Sequence, residues 1–213
     1  MNTAAFERRQ CTDDLNAPAY AASAIAASSG QIQLPAMKKI VAVLLVSLAS
    51  TIAFAMQPLP SNAAFDTGFS PDGSALNVVV KGIESARASI LVAAYTFTSR
   101  PVATALLAAQ RRGVKVAVIA DRAQNSKSYS SVWFLANQGV PVRLNDRYQD
   151  EHNKFMVIDG LHLETGSFNY SAAAANKNAE NAVLLWNVKP LAERYTAEWQ
   201  RLWQESADLK PAY

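Results

Sequence analysis

Cysteine occurs once in the 213 residues, at Cys11, and histidine only twice, at His152 and His162. A lone cysteine excludes an intrachain disulfide framework and any thiolate zinc cluster, and two histidines are too few for an all-histidine metal cage. Charge is sparse as well: 17% of the chain is charged and 50% is apolar, which excludes disordered, collagen-like and coiled-coil compositions. The 20 basic and 17 acidic side chains leave +3, too mild an excess to identify a polyanionic partner. Chemistry near neutrality must therefore run on very few titratable groups.

What is present begins with a shift of composition at Met37. Lys38 and Lys39 precede an uncharged apolar run, Ile40 to Ala49, and small residues follow at Ala53 and Ala55. A basic start, a short apolar centre and small residues at a cleavage point read as a secretory signal peptide over 37–55. The run is about sixteen residues long, short of the roughly twenty that a spanning helix needs, so no membrane anchor is expected after cleavage. Residues 1–36 form an Ala/Ser-rich leader ahead of that signal, as in an over-long start. Four of the 20 basic residues (Arg8, Arg9, Lys38, Lys39) and three of the 17 acidic ones (Glu7, Asp13, Asp14) precede residue 56. The mature chain, 56–213, then carries sixteen basic and fourteen acidic side chains and no cysteine. That suits a periplasmic or secreted location.

Along this mature part, Pro58, Pro60 and Ser70-Pro71-Asp72-Gly73 read as an extended lead-in. Helical spacing of apolar residues follows over 74–86. Ala88 to Phe97 is a continuous apolar run of strand length, as in a strand buried on both faces. A helix over 102–112 stopped by Gly113, a strand over 114–120, a helix over 129–137 stopped by Gly139 and a strand over 140–144 continue the alternation. Closely spaced strands at 154–158, 161–165 and 182–186 come next, and a helix from Pro190 to about Glu205 closes the chain with the stripe Leu191, Tyr195, Trp199, Leu202 and Trp203. Aromatics at that spacing are read as core. The expected fold is one α/β domain with a mixed, largely parallel central sheet flanked by helices on both faces.

The chemistry concentrates in His152-Asn153-Lys154, Asp159 and Gly166-Ser167-Phe168-Asn169. Residues two apart on a strand share a face, so His152 joins Lys154 and Ser167 joins Asn169. Two adjacent strand ends then offer an imidazole, an ammonium, a hydroxyl and a carboxamide to one spot. A phosphodiester suits these groups: Lys154, Ser167 and Asn169 can stabilise charge on non-bridging oxygens as phosphorus becomes five-coordinate. Imidazole, with an ordinary pKa of about 6.5, can attack phosphorus or protonate the leaving oxygen. Neither a metal nor a cofactor is required. Asp159 before Gly160 is either ordinary turn chemistry or support for the site, and Asp150 and Glu151 either face solvent or act on His152. Counting back from Ser167 in twos puts His162 on the opposite face, off the site.

The spacing H-x-K, four residues, D, six residues, G-S-x-N resembles the signature of the phospholipase D superfamily, and is most similar to its small secreted bacterial endonucleases with one motif per chain. Gly68-Phe69-Ser70-Pro71, Ala94 to Thr98, Glu164 to Tyr170 and Lys177 to Ala182 extend the resemblance over about residues 65–205. Six fixed residue types at fixed spacing arise by chance on the order of 10⁻⁸ per start position. The resemblance implies that His152 forms a phosphohistidine, that Lys154 and Asn169 hold the phosphate, that Ser167 supports them, and that Glu180 orients the imidazole. It also implies a homodimer with a composite site. The expected activity is a metal-independent nuclease acting on DNA, with RNA as a further substrate. The alternatives are phospholipase D hydrolysis of phosphatidyl head groups and a catalytically silent nucleic-acid-binding module. Arg111, Arg112, Lys115, Arg122 and Lys127 are read as a track for a polyanion or as a solvated cluster.

Overall fold

The computed structural model describes residues 56–210, so the leader and signal readings lie outside the described residues. The elements in chain order are β1 (Ala64–Phe69), α1 (Ser74–Ser85), β2 (Ser89–Ala94), α2 (Arg100–Arg111), β3 (Lys115–Asp121), α3 (Arg122–Asn125), α4 (Ser131–Asn137), β4 (Val142–Asn145), β5 (Lys154–Ile158), β6 (His162–Gly166), α5 (Ala172–Asn176), β7 (Asn181–Trp186), α6 (Lys189–Gln204) and β8 (Ala207–Asp208). Local signals explain the boundaries. Ser99 caps α2 by accepting from the Val102 N–H, Pro101 sits in its first turn, and Gly113 at φ 93° ends the turn after it.

All eight strands form one sheet in the order β1-β7-β6-β5-β2-β3-β4-β8. Helices lie on both of its faces. One core joins α1, α2 and α4 to the sheet through residues such as Val79, Ile83, Leu106 and Leu135; the other joins α6 through Ala192, Trp199 and Leu202 to Phe155, Val157 and Leu163. The Trp199 indole N–H donates to the Val92 carbonyl at 2.9 Å, so Trp199 and Leu202 of the α6 stripe are core, as the spacing predicts, while Leu191, Tyr195 and Trp203 are only partly buried against it.

The sheet is mixed, but its parallel share is smaller than expected. Only β2–β3 and β3–β4 are parallel; the other five pairings are antiparallel. The crossovers through α2 and through α3 and α4 make β2, β3 and β4 parallel, whereas the three-residue turn Asp159 to Leu161 can only make a hairpin, and β6 and β7, joined through the short α5, are also antiparallel. The lead-in also contains a strand: β1 pairs along the whole of β7, with buried Gly68 alternating with exposed Phe65, Thr67 and Phe69. Gly68 is required there, because a Cβ would lie 2.3 Å from the Ser74 carbonyl oxygen of α1.

Asp159 belongs to this framework rather than to the site. It ends β5 at φ 55°, and its carboxylate accepts the backbone N–H groups of Arg87, Ala88 and Ser89 at 2.9, 2.7 and 2.9 Å. It stands five residues along the strand direction from Lys154, about 16 Å. Partial burial acts to raise its pKa, but the three N–H donors outweigh this and hold it below the ordinary carboxylate value. The stabilisation is thus present above about pH 4 and is lost as pH falls through the depressed folded pKa. Asp159→Ala is expected to cost about 1–2 kcal/mol of stability at pH 7, with turnover per folded molecule within about threefold. Urea melts read beside single-turnover rates check both.

A second buried group shapes the site from below. Glu164 on β6 is buried in the α1 side of the core beside Tyr170, whose hydroxyl donates to its Oε2 at 2.7 Å. Burial raises the Glu164 pKa to about 8, against the bond from Tyr170. An unfolded glutamic acid ionises near 4.3, so the folded state holds one extra proton between about pH 4.3 and 8. Stability contributed by this group therefore falls as pH rises through that window and levels off above it. Glu164→Gln is expected to flatten that slope, measured as unfolding free energy at pH 5, 7 and 9.

Candidate active site

The C-terminal end of β2 and the N-terminal end of β5 meet where Ala94 pairs with Lys154. His152 and Asn153 precede that strand and are exposed, while Lys154, its first residue, is buried. The Lys154 ammonium donates to the His152 carbonyl at 2.7 Å and lies 3.1 Å from His152 Nδ1. An ammonium has only donors, so Nδ1 accepts and the neutral ring carries its proton on Nε2. Tyr95, one residue beyond β2, completes the grip. Its ring lies 4.2 Å from the imidazole centroid and 4.9 Å from the ammonium, and its hydroxyl donates to Asp150 Oδ1 at 3.1 Å.

Charge around Lys154 is balanced by position. Burial lowers the ammonium's pKa from its usual range, and the Glu151 and Glu180 carboxylates act against that. Glu151 does not face solvent: it is buried, its Oε1 accepts from Asn153 Nδ2 at 2.6 Å, and burial pushes its carboxyl upward. Its backbone N–H donates to Asp121 Oδ2 at 3.0 Å, which ties the segment before His152 to the end of β3.

The second half of the site follows β6. Gly166 ends that strand where a Cβ would lie 2.2 Å from the Asn181 carbonyl oxygen, so only glycine lets β7 approach this closely. Ser167 to Asn169 therefore lie beyond the strand, and a loop anchored by buried Phe168 and Tyr170 orients them in place of strand alternation. Ser167 Oγ donates to Glu180 Oε2 at 2.6 Å and accepts from the Asn181 N–H at 3.0 Å. Asn178 holds the other Glu180 oxygen at 2.8 Å. Glu180 thus orients Ser167, and its bonds within one chain do not reach His152. Asn169 Oδ1 is buried without a hydrogen-bond partner. A half-turn of that amide, which barely changes its shape, would offer two N–H donors instead.

These residues line one open cleft of about 540 Å³. It brings together His152, Lys154, Ser167, Asn169 and Glu180 from the sequence reading and leaves out Asp159 and His162. His162 begins β6 at the far end; its Nδ1 accepts the Asn187 N–H, its ring packs edge-on to Trp186, and burial lowers its pKa. Tyr195 and Thr165 also line the cleft, and the sequence reading missed them as it missed the part played by Tyr95. The one available signal was Tyr95, a polar-tipped ring at the carboxyl end of a parallel strand, where ligand crevices form. The expected basic track is divided. Arg111, Arg112 and Lys115 lie at the opposite edge, where α2 ends and β3 begins; Arg112 bonds the carbonyls of Ile83 and Glu84, and Arg122 pairs with Asp146. No group of three or more His, Cys, Asp or Glu side chains suited to a metal ion occurs among the described residues.

Known proteins share this arrangement. Residues 79–203 match the family described as cardiolipin synthase, PLD-like domain. The phospholipase D of Rickettsia prowazekii is 35% identical over 139 residues, 65% of this chain and 67% of that protein. The mitochondrial cardiolipin hydrolase of Xenopus tropicalis is 36% identical over 120 residues, 56% and 57% of the two chains. Among solved structures, Nuc, a phospholipase D family member from Salmonella typhimurium, is 38% identical with a TM-score of 0.67, covering 70% of this chain and 99% of its own. With the fold, the cleft and these likenesses in agreement, the chain belongs to the phospholipase D family of phosphodiester hydrolases.

Proposed function

We propose that this chain hydrolyses nucleic-acid phosphodiesters outside the cytoplasm, without a metal, through a phosphohistidine. The observation that carries the reading is the grip of the Lys154 ammonium on His152 in a cleft shared with Ser167, Asn169 and Glu180. An open cleft admits a polymer lying across it, and the motif resembles that of small secreted endonucleases. In the reaction, the His152 imidazole of one copy, in the tautomer that leaves Nε2 unprotonated, attacks phosphorus; the P–O bond to the leaving oxygen breaks, and the Nε2–H of the facing copy's His152 protonates that oxygen. Lys154 and an Asn169 N–H neutralise the charge gathering on the non-bridging oxygens. Water then displaces the imidazole from phosphorus. A second reading, phospholipase D action on lipid head groups, draws on the names of the Rickettsia and Xenopus relatives.

Incubation with plasmid DNA, RNA and phosphatidylglycerol vesicles separates the two. Cleavage of nucleic acid that persists in excess EDTA is expected, and turnover of the vesicles alone would favour the lipid reading. His152→Ala and Lys154→Ala should each lower turnover on the order of 10²- to 10⁴-fold or more, while His162→Ala stays near wild type. A binding module without catalysis would show salt-dependent DNA binding and no product.

The same reading includes a homodimer with a composite site. An expelled alkoxide needs a proton from a second acid, which must later take one from the attacking water. As placed in one chain, the Nε2–H imidazole is a proton donor, so one copy supplies one of the two roles. Beside the cleft, the edge strand β1 leaves Phe65 at 69% and Phe69 at 58% exposure, an apolar strip suited to a two-fold contact. Mixing His152→Ala subunits with wild type, after verified exchange, should lower activity faster than the wild-type fraction falls. A linear mixing curve would exclude the shared site.

A further inference from the structure

A second cavity, of about 460 Å³, opens between the first turn of α2 and the loop leading into α4, lined by Arg100, Thr104, Ser128, Tyr129 and Phe134 among others. It lies on the same sheet edge as the cleft. Arg100 follows the carboxyl end of β2, Ser128 to Ser131 follow that of β3, and Lys154 pairs with the last residue of β2. Its two rings are left in water, Tyr129 at 74% and Phe134 at 44% exposure. No carboxylate lines it. Arg100 is the one basic side chain in its lining, and the single acidic residue between Arg100 and Leu144, Asp121, is buried with its oxygens bonded to the Gln124 and Glu151 N–H groups.

Hydrogen bonds through Asn125 and Ser130 link the surroundings of the two sites. Fully buried Asn125 donates to the Tyr95 carbonyl at 2.6 Å and accepts the Phe97 N–H at 3.1 Å. The Ser130 hydroxyl lies 2.7 Å from Asn125 Oδ1, and the Ser131 N–H donates to the Phe97 carbonyl at 2.9 Å. Tyr95, which packs on His152, is thereby held to the loop that carries Tyr129. Tyr95 and Arg100 are five Cα steps apart, a reach of at most about 18 Å, or about five nucleotides at stacked spacing.

We propose that this cavity is a subsite for one unpaired nucleotide of the substrate strand, its base stacked on Tyr129 and Phe134 and its phosphate on Arg100. The inference rests on the nucleic-acid reading and deepens it by assigning a strand with unpaired bases. Exposed rings with no acid among them accept any base, because every base has a π-face, and an arginine beside them supplies the charge for the backbone. The Thr104 and Ser128 hydroxyls at the rim can meet base edges.

The test compares kcat/KM for a 12-nucleotide thymidine strand with that for bis(p-nitrophenyl) phosphate, which fills only the His152 cleft. In the double variant Tyr129→Ala, Phe134→Ala, checked for folding by circular dichroism, the ratio of the two should fall about tenfold, through KM for the strand. Tyr129→Trp should preserve the ratio, since stacking needs a ring and no hydroxyl. Arg100→Gln should reduce the salt slope of strand binding by about one. A ratio within twofold of wild type in the double variant would overturn the subsite while wild-type cleavage of the strand left the nuclease reading standing. A selective loss of phosphatidylglycerol vesicle turnover in that variant would overturn it in favour of a lipid contact. Failure of the wild type to cut the strand at all would remove the nuclease reading, and the subsite with it.

Discussion

Lys154 is the one basic side chain buried among the described residues, and the placement of that ammonium organises the site. Removing a cation from water is costly, and here the offsetting groups come from three segments: the His152 carbonyl and Glu151 carboxylate before β5, the Tyr95 ring after β2, and the Glu180 carboxylate before β7. Because the cation needs each of them, β2, β5 and the segments before β5 and β7 converge on one point. The chemistry and the local architecture therefore share a cause. The charge that can hold a phosphate is the same charge that its neighbours hold in place.

Two buried polar braces carry that arrangement outward. Asn125 bonds the chain at Tyr95 and Phe97, and the Glu164–Tyr170 pair underlies the loop bearing Ser167 and Asn169. The Tyr170 carbonyl accepts the N–H groups of Thr98 and Ser99, which joins the two loops. In an apolar surrounding such bonds are expensive to break, so loops that would otherwise vary hold one geometry. This is how a cleft open to solvent can still be preorganised for charge developing on phosphorus.

Membership of the phospholipase D family accounts for the phosphodiester chemistry but leaves the esterified group open, since relatives named for lipid hydrolysis share the same domain. A motif that grips the diester itself is indifferent to what lies on either side. The features that could discriminate stand apart from it: the apolar strip on β1 beside the cleft, and the aromatic cavity beyond Tyr95. Both are built from residues outside the catalytic spacing.

The amino-acid sequence by itself determined the longer helices and the strands from 74 to 205, though not the short helices α3 and α5, together with the family and the set His152, Lys154, Ser167 and Asn169, because periodicity and a fixed motif are written in local order. Glycine stops, the cap at Ser99 and the buried runs of β2 and β3 act within a few residues, so they are legible without a structure. What depended on partners distant in the chain was not. Strand β1 exists because β7 offers it an edge, and the sheet is mostly antiparallel because β1–β7, β2–β5 and β4–β8 pair strands that are not consecutive in the chain. Asp159 looked like a site residue by spacing, yet β5 carries it to the far end, where three N–H groups from another segment take its charge. Burial of Glu151, the turn of Glu180 toward Ser167 and the packing of Tyr95 on His152 were likewise decided by tertiary structure. Desolvation and hydrogen-bond satisfaction act between neighbours in space, and only the folded chain says which residues are neighbours.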